Sequence, residues 1–473
     1  MRDLADLDAP PGWATAALGT ALPIQYGKAL PERARDGVGT HPVIGSSGVV
    51  GRHSVALTSG PTLVIGRKGS VGQVHYIGTP CWPIDTAYFA IGHESLDLLY
   101  FRYLLERLDL RRLDRSTAVP SLGRDDYNDL RVPVAPLPEQ HRIVAAIEQH
   151  LSRIDAGVAA LEKVKKELAR YRASVLKAAC EGQLVPTEAA LARAEGRSFE
   201  PASELLARIL AERRVRWDAS DSKRRKKYVE PEPPDQRKMP EGWVLTTLGA
   251  AFRVFVGATP SRGEPSYWNG GIPWVSSGEV AFRRISRTRE TITQLGLENS
   301  STKLHPPGSV LLGMIGEGKT RGQAAILDIE ACNNQNCAAI RVSETPVSPE
   351  QVYYYLWSVY GETRQIGSGN NQPALNKTLV EQLPIPLPPL AEQHRIVAEV
   401  ERRLSIADEV STAVESALAR AARLRQSVLK RAFEGRLVPQ DPSDEPASAL
   451  LERVRREGAT AHRAPGRARG DKR

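Results

Sequence analysis

At 473 residues the chain exceeds what one ordinary hydrophobic core supports, so two or more domains are expected. A hydrophobic fraction of 41% and a charged fraction of 25% are those of a soluble globular protein, and no apolar run approaches the roughly 18 residues that span a bilayer. The net charge of +9 favours a polyanionic partner, nucleic acid first. Four cysteines (Cys81, Cys180, Cys332, Cys337) are too scattered for a disulfide framework. No second Cys/His pair stands at ligand spacing beside Cys332 and Cys337, so no metal site is expected. The opening MRDLADLDAPPGW is acidic where a secretory signal is basic and apolar, which makes the expected location cytoplasmic.

Residues 10–136 mix short β-rich runs such as TLVIG with Gly/Pro/Ser turns and end in a helical stretch, LDLLYFRYLLERLDL (96–110). They are expected to form an α/β globular domain. The next region, 137–182, is a helical spacer. Its apolar residues Ile143, Ile147, Leu151, Ile154, Val158, Leu161, Leu168 and Val175 recur at three and four or their sums, the seam of a long amphipathic helix over 139–180. Pro136 and Pro138 precede it and Gly182 follows, as helix punctuation requires. About 42 residues at 1.5 Å each give a rod of about 60 Å.

Residues 183–240 form a helical segment and a linker, whose five consecutive basic residues at 223–227 and following prolines are those of a solvated connection. A second α/β domain occupies 241–388, with AAILDI (324–329) and the helical PEQVYYYLWSVYGETR (349–364). A second helical spacer, 389–435, repeats the seam as Ile396, Val400, Leu404, Val410, Val414, Leu418, Leu424 and Val428. The C-terminal segment 436–473 ends, from about residue 457, in a basic tail that is expected to be disordered.

The chain is written twice. LPEQHRIVAAIEQHLSRID (137–155) returns as LAEQHRIVAEVERRLSIAD (390–408) at an offset of 253. SVLKAACEGQLVP (174–186) returns at the same offset as SVLKRAFEGRLVP (427–439), and EPASELLARI (200–209) returns as EPASALLERV (445–454). Upstream, GWATAALG (12–19) pairs with GWVLTTLG (242–249), and Ser46-Ser47-Gly48 with Ser276-Ser277-Gly278. Two matching rods in one chain are expected to pack on each other, most simply as an antiparallel coiled coil with pseudo-twofold symmetry. The Glu and His of each EQHRIV open a helix without a third catalytic partner, so capping is their expected role.

GMIGEGKT (313–320) has the spelling of a phosphate-binding loop. Its duplicate does not: at an offset of 250, IGEGKTRGQ aligns with IGRKGSVGQ, placing Ile315-Gly316 on Ile65-Gly66 and Gly313 on Leu63. A phosphate loop must also run into a helix, whereas RGQAAILDIE alternates like a strand. A nucleotide hydrolase therefore yields to a Gly-rich turn between strands, and a purely structural coiled-coil adaptor is the other alternative. Motifs of an amino-methyltransferase, a helicase or a nuclease are missing, and neither catalytic nor cofactor-binding residues are expected.

With this duplicated plan the chain resembles the specificity subunits of type I restriction-modification systems. The resemblance rests on both EQHRIV helices, on SVLKAACEGQLVP and SVLKRAFEGRLVP, on RKKYVEPEPPD (225–235) and on MPEGWVLTTLG (239–249). GATPSRGEPSYWNGGIPWVSSGEV (257–280) and IQYGKALPERARDGVGTHPVIGSSGVVG (24–51) resemble the openings of two kinds of target-recognition domain in that family. The resemblance implies a non-catalytic, mixed α/β reader with two target-recognition domains, each binding half of a split double-stranded DNA sequence. Paired helices would set the spacing. Two methyltransferase subunits would use S-adenosylmethionine, and two motor-nuclease subunits ATP and magnesium. The candidate DNA-contacting residues are Lys68, Ser70 and Gln73 with Lys319, Thr320, Arg321 and Gln323 in the Gly-rich loops, and Ser46, Ser47, Ser276 and Ser277 in the Ser-Ser-Gly turns.

Overall fold

A computed structural model describes residues 9–92, 95–114, 119–219, 228–231, 234, 237–316, 318–366 and 374–461. The chain divides into two compact units, Met1–Lys163 with Val414–Arg473, and Val164–Ala413. The basic run 223–227 and the tail beyond 461 lie outside the described residues.

The first half runs β1 (Ala14–Ala17), α1 (Leu18–Ala21), β2 (Gln25–Tyr26), β3 (His41–Gly45), β4 (Gly48–His53), β5 (Thr62–Gly66), β6 (Val74–Ile77), β7 (Trp82–Pro83) and β8 (Ala87–Ile91). It continues through α2 (Leu98–Leu108), α3 (Arg124–Asn128) and β9 (Arg131–Val134) into the long helix α4 (Leu137–Cys180), followed by α5 (Glu188–Glu195) and α6 (Ala202–Asp218). The second half begins with β10 (Val244–Thr247), α7 (Leu248–Ala251), β11 (Val254–Val256), β12 (Trp268–Val275), β13 (Arg283–Ile285) and β14 (Glu290–Ile292). Then come α8 (Gln294–Glu298), β15 (Val310–Gly313), β16 (Ala324–Leu327), β17 (Cys332–Asn333) and β18 (Cys337–Ile340). It closes with α9 (Pro349–Ser358), α10 (Tyr360–Thr363), α11 (Lys377–Gln382), β19 (Pro384–Leu387), the long helix α12 (Leu390–Phe433) and α13 (Ala447–Ala461).

Both halves use one sheet plan. In the first unit a four-stranded sheet has the order β2-β8-β5-β6, a three-stranded sheet β4-β3-β7, and β1 pairs with β9. The second unit repeats this as β11-β18-β15-β16, β14-β12-β17 and β10-β19, adding β13 beside β16. Strand β5 is buried at every residue, and so are β15, β16 and β18, as continuous apolar runs inside a domain require. Helix α2 covers the first sheet through Tyr100, Phe101, Leu104 and Leu105, and the Asp97 carboxylate caps it by accepting from the N–H groups of Leu99 and Tyr100.

The long helices each span 44 residues. Within the first unit Ile143, Ile147 and Leu151 of α4 share a core with Leu429, Ala432 and Phe433 of α12, while Arg425 reaches Asp155, so the two run antiparallel there. Within the second unit the relation is again antiparallel: Val175, Leu176 and Ala179 pack with Ile396, Val400 and Leu404, and Arg172 pairs with Asp408. Two expected seam residues leave the seam, Val410 at 38% exposure and Leu424 at 50%, while Ala407 is buried. A helix of 3.6 residues per turn drifts against a heptad repeat, so positions counted at three and four rotate outward with distance.

The Glu and Gln of each EQHRIV brace neighbouring elements instead of serving as the expected caps. Glu139 and Glu392 accept hydrogen bonds from the indoles of Trp13 and Trp243, each at 2.9 Å, and both carboxylates are buried. Gln140 donates to the Ala135 carbonyl and accepts from Asp97 N–H; Gln393 donates to the Pro388 carbonyl and accepts from Ser348 N–H. Each pair thus bolts the first turn of a long helix to the GW opening of a sheet domain and to the start of α2 or α9. The segments after the long helices are equally integrated. Ala202, Leu205 and Ile209 of α6 enter the second core, and Ala447, Leu450 and Leu451 of α13 enter the first. Ala202 N–H donates to Gly242 and Ala447 N–H to Gly12. Among the described residues no helix is long and apolar enough to cross a membrane.

Candidate nucleic-acid interface

In the first unit residues 67–73 connect the antiparallel strands β5 and β6. The turn closes through Gly66 N–H to the Gln73 carbonyl at 2.8 Å and Gly72 N–H to the Gly66 carbonyl at 2.9 Å. Position 66 requires glycine, because a Cβ there would stand 2.1 Å from the Ser70 carbonyl oxygen. Lys68 N–H to Thr86, Gly69 N–H to Pro120 and Leu122 N–H to Arg67 tie the loop down. The backbone is thereby fixed while Lys68 and Gln73 are exposed and Ser70 is half-buried. Ser46 and Ser47 form the tight turn of the β3–β4 hairpin, and His75 Nε2 donates to the Ser46 carbonyl at 3.2 Å. The serine turn and the Gly-rich loop therefore meet in this unit.

The second unit builds the same lock with different spelling. Gly313 N–H donates to Gln323 and Gly322 N–H to Gly313, both at 2.8 Å, and a Cβ at Gly313 would lie 2.4 Å from the Thr320 carbonyl. Gly313, not Gly316, is therefore the counterpart of Gly66. The strand pairs agree: Gly66 lies opposite Ala87 and Gly313 opposite Cys337. The second loop has three more residues between its locking glycines, and the ungapped alignment of Ile315-Gly316 with Ile65-Gly66 is corrected accordingly. GMIGEGKT joins two antiparallel strands and no helix follows it, so the backbone amides of a helix N-terminus are not there to hold a nucleotide phosphate.

The expected contact residues of this unit separate into two groups. Lys319 is exposed, with its carbonyl accepting from Tyr360 Oη at 2.7 Å, and Thr320 and Gln323 are half-buried. Arg321 is only 9% exposed and its Nη2 donates to the Arg364 carbonyl at 2.7 Å, which makes it a bracket for α10 rather than a surface reader. Ser276 is also occupied. It opens a 3-10 turn in which the buried Glu279 carboxylate accepts from both Ser276 N–H and Ser276 Oγ, each at 2.9 Å. Strand pairing of Val43 with Trp82 and of Trp274 with Cys332 makes Ser277 the counterpart of Ser46, one residue from the ungapped match. Ser277 is half-buried in the same turn.

One cluster carries no local signal. Tyr26, Arg67 and Arg124 are far apart in sequence, yet both guanidiniums stack near the Tyr26 ring, at 5.4 and 5.6 Å from its centroid. The second unit has its own stack, Arg262 at 3.8 Å from the Trp268 ring, but Glu290 neutralises that arginine. No group of three or more His, Cys, Asp or Glu among the described residues is arranged to hold a metal ion, and the four cysteines are free.

Two copies of one sheet domain, each with a pinned, lysine-bearing glycine loop and each rooted in a 44-residue helix, define a duplicated two-domain protein built on a helical spacer. The family follows from comparison. The model of the type I restriction modification DNA specificity domain matches residues 10–166 and 240–411, and the chain belongs to that family. It is 24% identical over 473 residues to the type I restriction enzyme EcoDI specificity subunit of Escherichia coli, covering 96% of either chain. It is 25% identical to the EcoBI specificity subunit of Escherichia coli, over 73% of this chain and 68% of that one. A chain in a solved structure on complex assembly and conformational transition of the type I restriction-modification system shares its fold. That chain is 20% identical with a TM-score of 0.57, over 91% of this chain and 99% of that one.

Proposed function

We propose that this chain is the non-catalytic specificity subunit of a type I restriction-modification complex, with each sheet domain reading one half of a split duplex DNA target. The observation that carries this reading is the duplicated glycine lock, set in two copies of a DNA-specificity domain: equivalent locked strand ends carry loops of different length, one bearing Lys68 and the other Lys319. Phosphate contacts from such lysines supply affinity, and base-edge contacts supply sequence. Two methyltransferase subunits would methylate adenine with S-adenosylmethionine and two motor-nuclease subunits would spend ATP with magnesium, while α4 and α12 set the number of unread base pairs. Co-expression with the methyltransferase partner, followed by mapping of adenine methylation, tests this: a bipartite motif is expected, and a contiguous motif or none refutes it.

Lys68 and Lys319 form no ion pair among the described residues, so each is available to a phosphate. Lys68→Ala or Lys319→Ala is expected to weaken binding evenly across sequences and to lower the slope of log K against log salt by about 0.9 per lysine. Titrations of the assembled complex at several salt concentrations measure that slope. An unchanged slope in both variants would remove these lysines from the interface.

A further inference from the structure

Strand β2 lies at the edge of its sheet and ends at Tyr26, a residue 51% exposed. The Tyr88 ring supports it edge-on at 5.0 Å, and Tyr88 Oη is anchored by donating to the Leu122 carbonyl. Backbone carbonyls position the two arginines beside it. Arg67 Nε and Nη2 donate to the Asp85 carbonyl at 3.1 and 2.7 Å, and Arg124 Nη2 donates to the Ile24 carbonyl at 3.1 Å. These bonds use only part of each guanidinium's donor set, and neither arginine pairs with a carboxylate among the described residues.

Several arginines of the second unit, by contrast, do have a counter-charge. Arg253 pairs with Glu344, Arg262 with Glu290, and Arg284 with both Asp328 and Glu350. In the first unit Arg67 and Arg124 instead flank one exposed aromatic ring, and Lys68 follows Arg67 on the pinned loop. Like charges held together repel until an anion or an electronegative edge joins them. A guanidinium fixed by carbonyls and an aromatic face loses little freedom on forming a bidentate bond, which suits a base edge better than the point contact a lysine makes.

We infer that Tyr26, Arg67 and Arg124 form the base-reading element of the first unit and recognise guanine in its DNA half-site through the arginine forks, with Lys68 on an adjacent phosphate. This rests on the DNA-reading function above and deepens it. The element belongs to one half-site only. Tyr26 lies opposite Tyr88 as Val256 lies opposite Ala338, so valine stands where the second unit would need the aromatic platform.

The test uses the full chain assembled with its methyltransferase subunits, selecting bound duplexes from a library with both half-sites randomised. Arg67→Lys and Arg124→Lys keep the charge and remove the fork. Each is expected to reduce the preference for guanine at one position by about ten- to hundred-fold, in a single half-site. The salt slope and the second half-site stay as in the wild type, and that second half-site also shows that the variant is folded. Unaltered base preference in both variants, or an even loss across all sequences, overturns the assignment. A wild-type complex that selects no bipartite sequence would instead overturn the DNA-reading function itself.

Discussion

Exchange of residues 10–136 for another domain of the same fold is expected to replace one half of the DNA target completely and to leave the other half as it was. The expectation has a structural basis. Residues 10–136 share one core with the first turns of α4, the last turns of α12 and α13, so the incoming domain must keep that apolar surface, and a few polar bonds pin it to α4. Those bonds are Trp13 to Glu139 and the bonds of Gln140 with Ala135 and Asp97. Gly12 also holds α13 through Ala447, so an incoming domain must bring the Gly-Trp opening with it. Each base pair read wrongly costs about 1–3 kcal/mol, so a half-site of several base pairs changes by orders of magnitude. Methylation mapping of the exchanged complex measures the outcome. A change in both half-sites would show that the units do not read independently.

The largest stability effect is expected at Glu392. Its buried carboxylate accepts from the Trp243 indole at 2.9 Å and from Glu188 N–H at 2.8 Å. Glu392→Ala strands both donors at a buried position and should cost on the order of 3–5 kcal/mol. Glu139→Ala strands the Trp13 indole and should cost about 1–3 kcal/mol. Thermal melts of the full chain rank the two variants: equal shifts would overturn the ranking, and negligible shifts in both would show that the bolts do not hold the domains.

Burial pushes the Glu392 carboxyl up from its ordinary value of 4.5, against hydrogen bonds from Glu188 N–H and Trp243 that favour the charged form. The folded state therefore holds this proton more tightly than the unfolded chain does. Its stability contribution is full below pH 4.5 and falls as pH rises through the raised folded value. Glu392→Gln does not titrate, so its cost relative to wild type should shrink from acid to neutral pH. Glu188, buried but drawn down by Arg197 and Arg395, behaves oppositely and loses its contribution in acid. The Gln comparison at fixed pH isolates Glu392 from that background.

Much of this architecture was legible from letters alone because repetition and periodicity are local properties. The EQHRIV blocks, the apolar seams, the flanking prolines and Gly182 and Gly435 are read within a few helical turns, and the 44-residue helices fall within two residues of the start they imply. The candidate site was less legible. Arg321 looks like a surface cation in sequence but is buried under the Arg364 carbonyl, and Ser276 is spent on Glu279. Neither partner can be seen until backbone pairing sets the neighbours.

GMIGEGKT shows the division most clearly. The sequence by itself determined that the chain is duplicated, that two long helices carry the copies, and that a glycine-rich turn recurs in each. Only the tertiary structure decided which glycines correspond: hydrogen bonds from Gly66 to Gln73 and from Gly313 to Gln323 define the match, and they tolerate three extra residues that an ungapped comparison cannot. It also decided that Tyr26, Arg67 and Arg124 share one surface. Helix periodicity is set by neighbours along the chain, whereas a site is assembled by strand pairing between residues far apart, and no local pattern encodes that register.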